Sequence, residues 1–503
     1  MLQTLKNAWN TKEIRSKLLF TLLILFIYRV GTVLPVPFVE SNSIATIFNG
    51  TILEYMDILS GGSLGNMTLF ALGVQPYINA SIIIQLLAVV FPALGELSKT
   101  DKKKMNLITR LTTVGLAVIT ALGYYFLIKN GNALTHRASE GQLSWFYGVV
   151  IVVCYTAGAS LVMWLAERIN EKGIGNGISM ILFANIVAAV PPFVSKLVGL
   201  VIDTYSYPVQ PILRSIISTL FAVALIAFLI ALIAFVIFIT GSERRIPIQY
   251  AKKVVGRKMY GGQSTNLPIK LNMTGVMPVI FASSIVTFLP TILQILQSAN
   301  IIKTTKLVEG QVVETGWVKF MEIIGSEGVV YPIMLFVLII AFAYFYTQIT
   351  FDPIEVANNL KKNGGAIPGI RQGRPTADYI RKILNKITLA GALFLAFIAI
   401  LPNILGPHVF RHLFDWLYSG AINVEEEALY NYTNFSYYYE NYAEALTEAK
   451  TYLESYASGM ASSLVSALSF GGTTILIVVG VAIETFRELE AQLTMRNYKG
   501  FLN

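Results

Sequence analysis

Residues 73–87 read GVQPYINASIIIQLL, an apolar helical stretch whose beginning is interrupted by a glycine and a proline. Pro76 has no backbone N–H to donate, and Gly73 has no Cβ to keep another backbone away. In lipid, such an irregular helix start is tolerated only where the backbone lies against protein or lines a cavity that holds water. The stretch therefore predicts a membrane helix beside a pathway through the protein.

A second interrupted helix start occurs at residues 171–192, EKGIGNGISMILFANIVAAVPP. Gly173, Gly175 and Gly177 fall within five residues there. Clustered glycines also occur in phosphate-binding loops, but such a loop follows a strand, whereas this one follows a polar helix end. We therefore interpret 171–192 as a second broken span, which strengthens the prediction of a pathway.

The composition is that of an integral membrane protein. The 503 residues are 54% hydrophobic and 13% charged, and the mean hydropathy is +0.61. Values of this kind exclude a soluble globular domain. We predict ten membrane helices from the apolar segments at 18–35, 68–91, 107–128, 145–166, 176–200, 212–239, 273–296, 330–351, 387–405 and 468–484.

Basic residues concentrate in segments that a ten-helix topology places on one side of the membrane. These segments are the residues before the first span and the loops at 92–110, 241–270 and 352–386. The positive-inside rule assigns that side, and both chain termini, to the cytoplasm. The loop at 408–466 holds eight acidic against two basic residues and falls on the opposite side.

The loops at 241–270 and 352–386 are longer than orientation of the helices requires. Their glycine and proline turns indicate ordered hairpins, and their excess of Lys and Arg suits a nucleic-acid surface or an acidic protein partner. The simpler alternative is that these charges only orient the helices and contact anionic lipid. The charges alone leave both interpretations open.

The sequence predicts no enzyme, no metal site and no cofactor. His136, His408 and His412 lie in predicted outer loops without the carboxylate spacing of a metal site. The chain also lacks the signatures of serine hydrolases, zinc proteases and P-loop NTPases. Cys154 is the only cysteine, which excludes an intramolecular disulfide and a cysteine metal cluster. The predicted spans are poor in ionisable residues, of which Arg29 is the clearest, and this disfavours an ion-coupled carrier.

Five segments resemble the SecY family of bacterial protein-conducting channel subunits. They occur in the family's order, between about residue 14 and residue 500, as PYINASIIIQLL at 76–87, ERINEKGIGNGISMILFANIVAAVPP at 167–192, QSTNLPIKLNMTGVMPVIFASSI at 263–285, NNLKKNGGAIPGIRQGRPTADYI at 358–380 and FGGTTILIVVGVAIE at 470–484. The resemblance implies an all-α polytopic membrane protein with ten transmembrane helices. Two inverted five-helix halves, 1–200 and 201–503, would surround a central hourglass pore. Such a channel passes unfolded secretory polypeptides across the cytoplasmic membrane and releases transmembrane segments laterally into lipid.

The resemblance also implies a ring of six aliphatic side chains at the waist of the pore: Val74, Ile78, Ile178, Leu182, Ile280 and Ile477. The first two residues are spaced i, i+4, as are the next two, so each pair shares one helix face. A ring of this kind excludes water and ions by dewetting, yet yields around a passing chain. Without the resemblance, the same residues would be interpreted as ordinary core or lipid contacts.

In the family, a plug segment precedes the broken second helix. Residues 51–66 match it through Ile52, Leu53, Met56, Ile58, Leu59, Gly61, Gly62 and Leu64. The segment is too short and, with Glu54 and Asp57, too polar to span a membrane. Its glycine pair provides a hinge. The alternative is an ordinary re-entrant loop on the outer side.

Gln85 and Asn272 match polar positions of the family's lateral gate. We expect the two amides to hydrogen-bond to each other in the closed channel and to separate when a signal sequence enters. Such intramembrane bonds contribute about 0.6–2 kcal/mol, which suits a gate that must open. A static contact between helices is the alternative.

The resemblance assigns partners to the basic loops. Arg257, Lys258 and Arg371 match docking residues for the ribosome and for the motor ATPase SecA. Arg suits bidentate contacts with phosphate or carboxylate better than Lys does, which makes Lys258 the weaker of the three. Further implied partners are the subunits SecE and SecG, signal peptides and nascent chains, membrane lipids and the insertase YidC.

Two stretches depart from the family pattern. At 352–355 the chain reads DPIE, without the arginine that bacterial members often have after the proline, and the role of this site stays open. At 408–466, where the family usually has a short connection, the chain carries nine tyrosines and seven glutamates. We expect Tyr442–Tyr456 to form an amphipathic helix on the outer surface.

Three alternative functions remain open at this point. A secondary transporter also uses inverted repeats and broken helices, although no mid-membrane carboxylate is evident for a coupling ion. A structural scaffold would need neither the plug-like segment nor the paired aliphatic faces. An accessory SecY paralogue with a restricted set of substrates is the closest alternative.

Overall fold

A computed structural model describes residues 2–40, 52–135, 144–206, 212–250, 253–255, 258–260, 264–298, 305–308, 311–314, 330–405 and 471–499. The predictions for Arg257, for the three histidines and for the insert at 408–466 lie outside these residues. Of Ile52, Leu53 and Lys258 only the backbone is described.

Helices dominate the described part of the first half of the chain. They are α1 Leu2–Asn10, α2 Lys12–Gly31, α3 Ile52–Ser60, α4 Gln75–Val90, α5 Pro92–Thr100, α6 Lys102–Asn130, α7 Ser144–Lys172 and α8 Gly177–Ser206. Helix α8 continues past residue 200, where we predicted the boundary between the halves. The division of the chain into two halves at residue 200 stays a prediction.

The second half combines helices with short strands. The helices are α9 Ile212–Gly241, α10 Met277–Ser298, α11 Val330–Thr350, α12 Pro353–Lys362, α13 Arg374–Leu405 and α14 Gly471–Lys499. The strands are β1 Glu243–Tyr250, β2 Lys253–Val255, β3 Lys258–Tyr260, β4 Ser264–Lys270, β5 Thr305–Val308, β6 Gln311–Glu314 and β7 Gly365–Ala366.

The strands form antiparallel pairs outside the predicted spans. β1 lies between β4 and β7, with Ile246 opposite Leu267 and Gln249 opposite Ala366. β2 pairs with β3, and β5 pairs with β6. The sheet β4-β1-β7 therefore joins the two long basic segments into one structure, where the sequence predicted separate hairpins.

Each of the ten predicted spans contains a helix among the described residues. Among the described residues, seven helices are long and apolar enough to cross a membrane, and the bent pair α4 and α5 raises the number to eight. Helices α2 and α14 coincide with the first and last predicted spans and carry charged residues near their ends. The chain is a multi-pass membrane protein with a helical fold.

The irregular helix start predicted from the sequence is present. Residues 68–74 form turns, and the second span becomes helical only at Gln75. Gly73 has a φ of +52°, which a residue with a Cβ rarely adopts. Pro76 lies in the first turn, where its missing N–H would have had no partner in the helix.

The other end of α4 contains a break that we did not predict. Phe91 has extended backbone geometry, with φ −102° and ψ 108°, because it precedes Pro92. Helix α5 begins at that proline and leaves α4 at an angle of 113°. The second span therefore ends in a sharp turn, and a short helix leads to α6.

The largest hydrophobic core lies where helices of both halves meet. Buried side chains of α2, α3, α4, α7, α8, α9, α10, α11, α13 and α14 contribute to this central core. A second cluster joins the plug segment to α6 and α7. A third lies between the sheet β4-β1-β7, α12 and the first turns of α13.

Candidate pore, plug and lateral gate

The six predicted ring residues all belong to the central core. Five of them are almost fully buried, with exposures of 1–3%, namely Val74, Ile78, Leu182, Ile280 and Ile477. The sixth, Ile178, is half-buried and packs against the same core. The residues come from four helices, α4, α8, α10 and α14, so the structure brings together side chains that are as much as 403 positions apart in sequence (477 − 74).

Local backbone geometry sets the positions of the paired residues. The carbonyl of Val74 accepts a hydrogen bond of 3.0 Å from the N–H of Ile78, so the two side chains lie one helical turn apart. On α8, Oδ1 of Asn176 accepts from the N–H of Ile178 at 3.1 Å and caps the helix start. In both pairs, the first residue therefore lies at the beginning of a helix.

The glycine-rich loop before α8 is anchored by residues that we did not predict. Oε2 of Glu488 on α14 accepts from the N–H of Gly175 at 2.9 Å, and Oγ1 of Thr21 on α2 accepts from the N–H of Ile174 at 3.0 Å. Oδ1 of Asn170 accepts from the N–H of Gly177 at 2.7 Å. These side chains occupy the exposed amides of the loop and fix α8 relative to its neighbours. No local sequence signal identifies Glu488 and Thr21, because their partners are distant in sequence.

The predicted plug residues pack beneath the central core. Leu59 belongs to the same core as the ring, and Met56 and Leu64 belong to the cluster formed with α6 and α7. Ile58 is half-buried. Gly61 and Gly62 follow the helix with φ values of +71° and +82°, so the chain reverses where the sequence predicted a hinge.

Polar contacts fix the plug segment to the surrounding helices. Nδ2 of Asn185 donates to the carbonyl of Leu59 at 2.7 Å, and Nη1 of Arg29 donates to the carbonyl of Gly61 at 2.9 Å. Oγ1 of Thr291, which donates its hydrogen to the carbonyl of Thr287 at 2.7 Å, lies 3.1 Å from the sulfur of Met56. We had named Arg29 only as an ionisable residue within a predicted span, and we had not singled out Asn185. The one available signal was a polar side chain within an apolar helix.

The expected hydrogen bond between Gln85 and Asn272 is absent from the structure. Nε2 of Gln85 donates to Oγ of Ser81 at 2.9 Å, and Oε1 of Gln85 accepts from the hydroxyl of Tyr346 on α11. Asn272 is not its partner: the buried Oδ1 of Asn272 has no hydrogen-bond partner among the described residues. The Tyr346 ring packs on Phe281 of α10 with centroids 5.2 Å apart, so its hydroxyl reaches Gln85 from the other half of the chain.

A second bond crosses between the same halves. Nε2 of Gln75 on α4 donates to Oγ1 of Thr287 on α10 at 3.4 Å. Helix α4 is therefore joined to the second half of the chain near both ends, at Gln75 and at Gln85. Both bonds lie among apolar side chains and connect uncharged groups, which can separate without leaving a buried charge.

The basic segments present Arg371 on an ordered loop. Its side chain is exposed, and glycines with φ values of +80° and +94° lie on either side at Gly369 and Gly373. The carbonyl of Arg371 accepts from Oγ1 of Thr376 at 2.8 Å, and Nε2 of Gln372 donates to the carbonyl of Gly365 in β7 at 3.1 Å. These bonds hold the loop against the sheet while the guanidinium projects into solvent.

Other residues of these segments have structural roles. Oδ1 of Asp352 accepts from the N–H of Ile354 at 2.8 Å and caps α12, with Pro353 in the first turn. Residues 352–355, which depart from the family pattern, therefore form the start of a helix. Burial, with a smaller contribution from the charge of Arg487, lowers the pKa of Lys270 at the end of β4.

Known proteins resemble this chain over its whole length. The SecY family model matches residues 68–421. The chain is 38% identical over 516 residues to the protein translocase subunit SecY of Mycobacterium tuberculosis and 36% identical over 518 residues to that of Streptomyces galbus, with 100% of each chain covered. The chain belongs to the SecY family. This membership confirms the resemblance drawn from the five sequence segments.

Solved structures agree with the SecY fold. A protein-conducting channel matches with a TM-score of 0.56 at 17% identity, covering 95% of this chain and 92% of that chain. The Sec61 channel in a canine ribosome–channel complex from the endoplasmic reticulum matches with a TM-score of 0.53 at the same identity and coverage. At this identity the likeness shows the fold alone. The roles of individual residues in this SecY-family chain stay predictions.

Proposed function

We propose that the chain is the pore-forming subunit of a protein translocase in a bacterial cytoplasmic membrane. It passes unfolded secretory polypeptides across the membrane, releases transmembrane segments laterally into lipid and has no catalytic activity of its own. The observation that carries the proposal is that the six aliphatic residues share one core with Leu59 of the proposed plug helix. The full-length relatives named as translocase subunits support it.

The ring forms the seal of the resting channel. Its six side chains have no hydrogen-bonding groups, so a constriction that they line does not hold water or ions. Because the side chains make no hydrogen bonds, the ring can widen around any passing polypeptide without breaking one. The ring comes from helices before and after residue 200, so it widens when the two inverted halves separate.

The plug closes the pathway on one side of the ring. Helix α3 is nine residues long, about 14 Å at 1.5 Å per residue, which is too short to cross a membrane. It packs through Leu59 against the core that contains the ring. The Gly61–Gly62 turn supplies the hinge on which it swings out.

The lateral gate opens between α4 and the pair α10 and α11. The Tyr346–Gln85 and Gln75–Thr287 bonds close this route in the resting channel. Each contributes about 0.6–2 kcal/mol, so binding of a signal peptide between these helices can supply the energy to separate them. A transmembrane segment then leaves sideways into lipid.

The sheet β4-β1-β7 and the Arg371 loop face the cytoplasm and bind the ribosome and the motor ATPase SecA. Arg257 and Lys258 contribute to the same surface, and Lys258 is the first residue of β3. Both chain termini are cytoplasmic under this orientation, which follows from the positive-inside rule. SecE and SecG complete the channel, and YidC receives some of the released segments.

Reconstitution tests the proposal. The full-length complex, purified from its native membrane and placed in proteoliposomes with the motor ATPase and ATP, is expected to protect a secretory precursor from added protease. Liposomes without the complex serve as the control. Absence of protected precursor despite correct assembly would contradict the proposal, and uptake of a small solute in its place would indicate a transporter. Mass spectrometry of the purified complex is expected to detect a SecE-like protein.

A further inference from the structure

Two side chains bind the carbonyl groups at the end of the plug helix, and a third, Tyr28, holds one of them. Asn185 on α8 and Tyr28 on α2 are both fully buried, with exposures of 0%. Nδ2 of Asn185 donates to the hydroxyl oxygen of Tyr28 at 2.9 Å and to the carbonyl of Leu59 at 2.7 Å. Both hydrogens of the amide are therefore used, one on α2 and one on the plug.

Arg29 makes a second contact with the same end of the plug. Its Nη1 donates to the carbonyl of Gly61 at 2.9 Å. The last carbonyls of a helix have no partners within the helix, and a cation there is favoured by the helix dipole. Asn185 and Arg29 thus supply from neighbouring helices the donors that the end of α3 lacks.

The packing at the hinge leaves no room for an added side chain. A Cβ at Gly61 would lie 2.8 Å from Nη1 of Arg29 and 2.8 Å from Oδ1 of Asn185. The Tyr28 ring is held in turn by a stack on Phe70, with centroids 5.5 Å apart and an interplanar angle of 10°. The donors therefore close directly over the turn on which the plug would swing.

The rest of the plug is held by weaker contacts. On its other side, Tyr124 donates to the thioether sulfur of Met56 at 3.9 Å, and Oγ1 of Thr291 lies 3.1 Å from the same sulfur. Thioether sulfur is a weak acceptor, whereas backbone carbonyls are strong ones. The strong polar contacts of the plug with other helices are concentrated at Leu59 and Gly61.

We propose that Asn185 and Arg29 form a latch that keeps the plug closed by binding the carbonyls of Leu59 and Gly61, with Tyr28 holding the amide of Asn185 in position. The proposal rests on the proposed function of α3 as a plug. When the plug leaves, the latch bonds break and the amide of Asn185 loses its partner on the plug. Closure of the plug is then set by the latch as well as by apolar packing.

The test compares latch variants with and without the plug in planar bilayers. Asn185→Leu keeps a similar volume and removes both donors, and it strands the buried carbonyl of Leu59. Since each lost hydrogen bond of this kind shifts an equilibrium by about two- to tenfold, spontaneous openings of the purified full-length complex are expected to become about tenfold more frequent. Tyr28→Phe leaves the bond to Leu59 in place, and about a threefold rise is expected. If Asn185→Leu does not assemble, Tyr28→Phe alone tests the latch.

Two comparisons separate the latch from a general effect of removing a buried amide. Asn403→Leu changes another buried amide whose Oδ1 has no partner among the described residues, and it is expected to leave openings unchanged. In a channel whose residues 52–60 are replaced by a Gly/Ser segment of equal length, Asn185→Leu is expected to add nothing, because the latch has lost its plug. An equal rise in opening frequency with and without the plug would overturn the latch. It would show that Asn185 acts on the ring, through nearby Leu182 on the same helix.

The same experiment distinguishes failure of the latch from failure of the plug. If the Gly/Ser replacement leaks and Asn185→Leu in the intact channel does not, α3 is a plug and the latch is refuted. If the Gly/Ser replacement opens no more often than the unchanged channel, α3 is not a plug, and the latch falls with it.

Discussion

The hydroxyl of Tyr346 on α11 donates a hydrogen bond to Oε1 of Gln85 on α4. The two residues are 261 positions apart, and the bond joins helices from the two halves of the chain. The Tyr346 ring is supported by Phe281 and by Phe345, with centroids 5.2 Å and 5.5 Å away. The side chain is therefore placed by packing, and its hydroxyl adds a polar contact to an apolar boundary between helices.

Tyr346→Phe should make the lateral gate easier to open. The variant keeps the ring and removes the hydroxyl, so the closed state loses about 0.6–1.7 kcal/mol, or roughly threefold or more in the gate equilibrium. We expect proteoliposomes with this variant to translocate a precursor with a weakened signal sequence at least threefold faster. Tyr344→Phe is the matched control, because its exposed hydroxyl donates to the carbonyl of Asn385, away from α4. Equal effects of the two substitutions would contradict a role of Tyr346 in the lateral gate.

Arg371→Glu should abolish motor-driven export and leave the topology unchanged. The side chain is exposed on a loop held by Thr376 and Gln372, so reversal of its charge changes the surface but not the fold. Arg374→Glu is the control, since it makes the same change in charge on an exposed residue at the start of α13. The measurement is ATP-dependent translocation in proteoliposomes. Normal translocation by Arg371→Glu would refute the docking role. Equal loss in both variants would show that the total charge of the loop matters and that Arg371 has no specific role.

Gly177→Ala should destabilise the fold, because α7 and α8 approach closely at this residue. A Cβ there would lie 1.9 Å from the carbonyl oxygen of Ala166, so the helices must move apart at a cost of about 1–3 kcal/mol. Gly199 on the same helix has no heavy atom within 4 Å of its added Cβ. Gly199→Ala should therefore stabilise the helix by up to about 1 kcal/mol. Thermal unfolding in detergent measures both, and an unchanged midpoint for Gly177→Ala would show that the two helices separate freely.

The insert at 408–466 lies outside the described residues, and its sequence makes a separate prediction. Its net charge of −6, from eight acids and two bases, places it on the outer side of the membrane. Doubling a flexible loop adds only about 0.6 kcal/mol of closure entropy. We expect a chain in which a short Gly/Ser linker replaces residues 418–460 to assemble and export normally.

Two measurements check the insert. In a Cys154→Ala background, an engineered cysteine at Ser436 should react with an impermeant reagent in intact cells. Reaction only after lysis would reverse the predicted topology. Loss of export by a deletion variant that still assembles would show that the insert takes part in translocation.

Local sequence patterns predicted the elements of the fold, whereas polar partners across the fold were not predictable. Gly73 and Pro76 indicated an irregular helix start because the missing Cβ of glycine and the missing N–H of proline affect the backbone locally. Tyr346 could not be identified as the partner of Gln85, because that pairing depends on how two distant helices pack. The same reason applies to Glu488 at the glycine loop and to Asn185 at the plug. The pairing of β1 with β7 joins segments more than 100 residues apart, and neither segment contains a signal for the other.

The aliphatic ring is the centre of this account. Ile78, Ile178 and Ile280 come from three of its four helices, and replacing all three with Ser places hydroxyl groups at the constriction. Hydroxyl groups hold water in a passage that branched apolar side chains keep dry. A matched control replaces Leu220, Ile230 and Ile233 on α9 with Ser, because these side chains are exposed on a helix that does not supply the ring.

The most direct test is the ion current through the resting complex in a planar bilayer, measured without substrate. We predict a steady current for the Ile78→Ser, Ile178→Ser, Ile280→Ser channel and none for the unchanged channel or the α9 control. A correctly assembled triple variant that remains as tight as the unchanged channel would contradict the assignment of these residues to the seal.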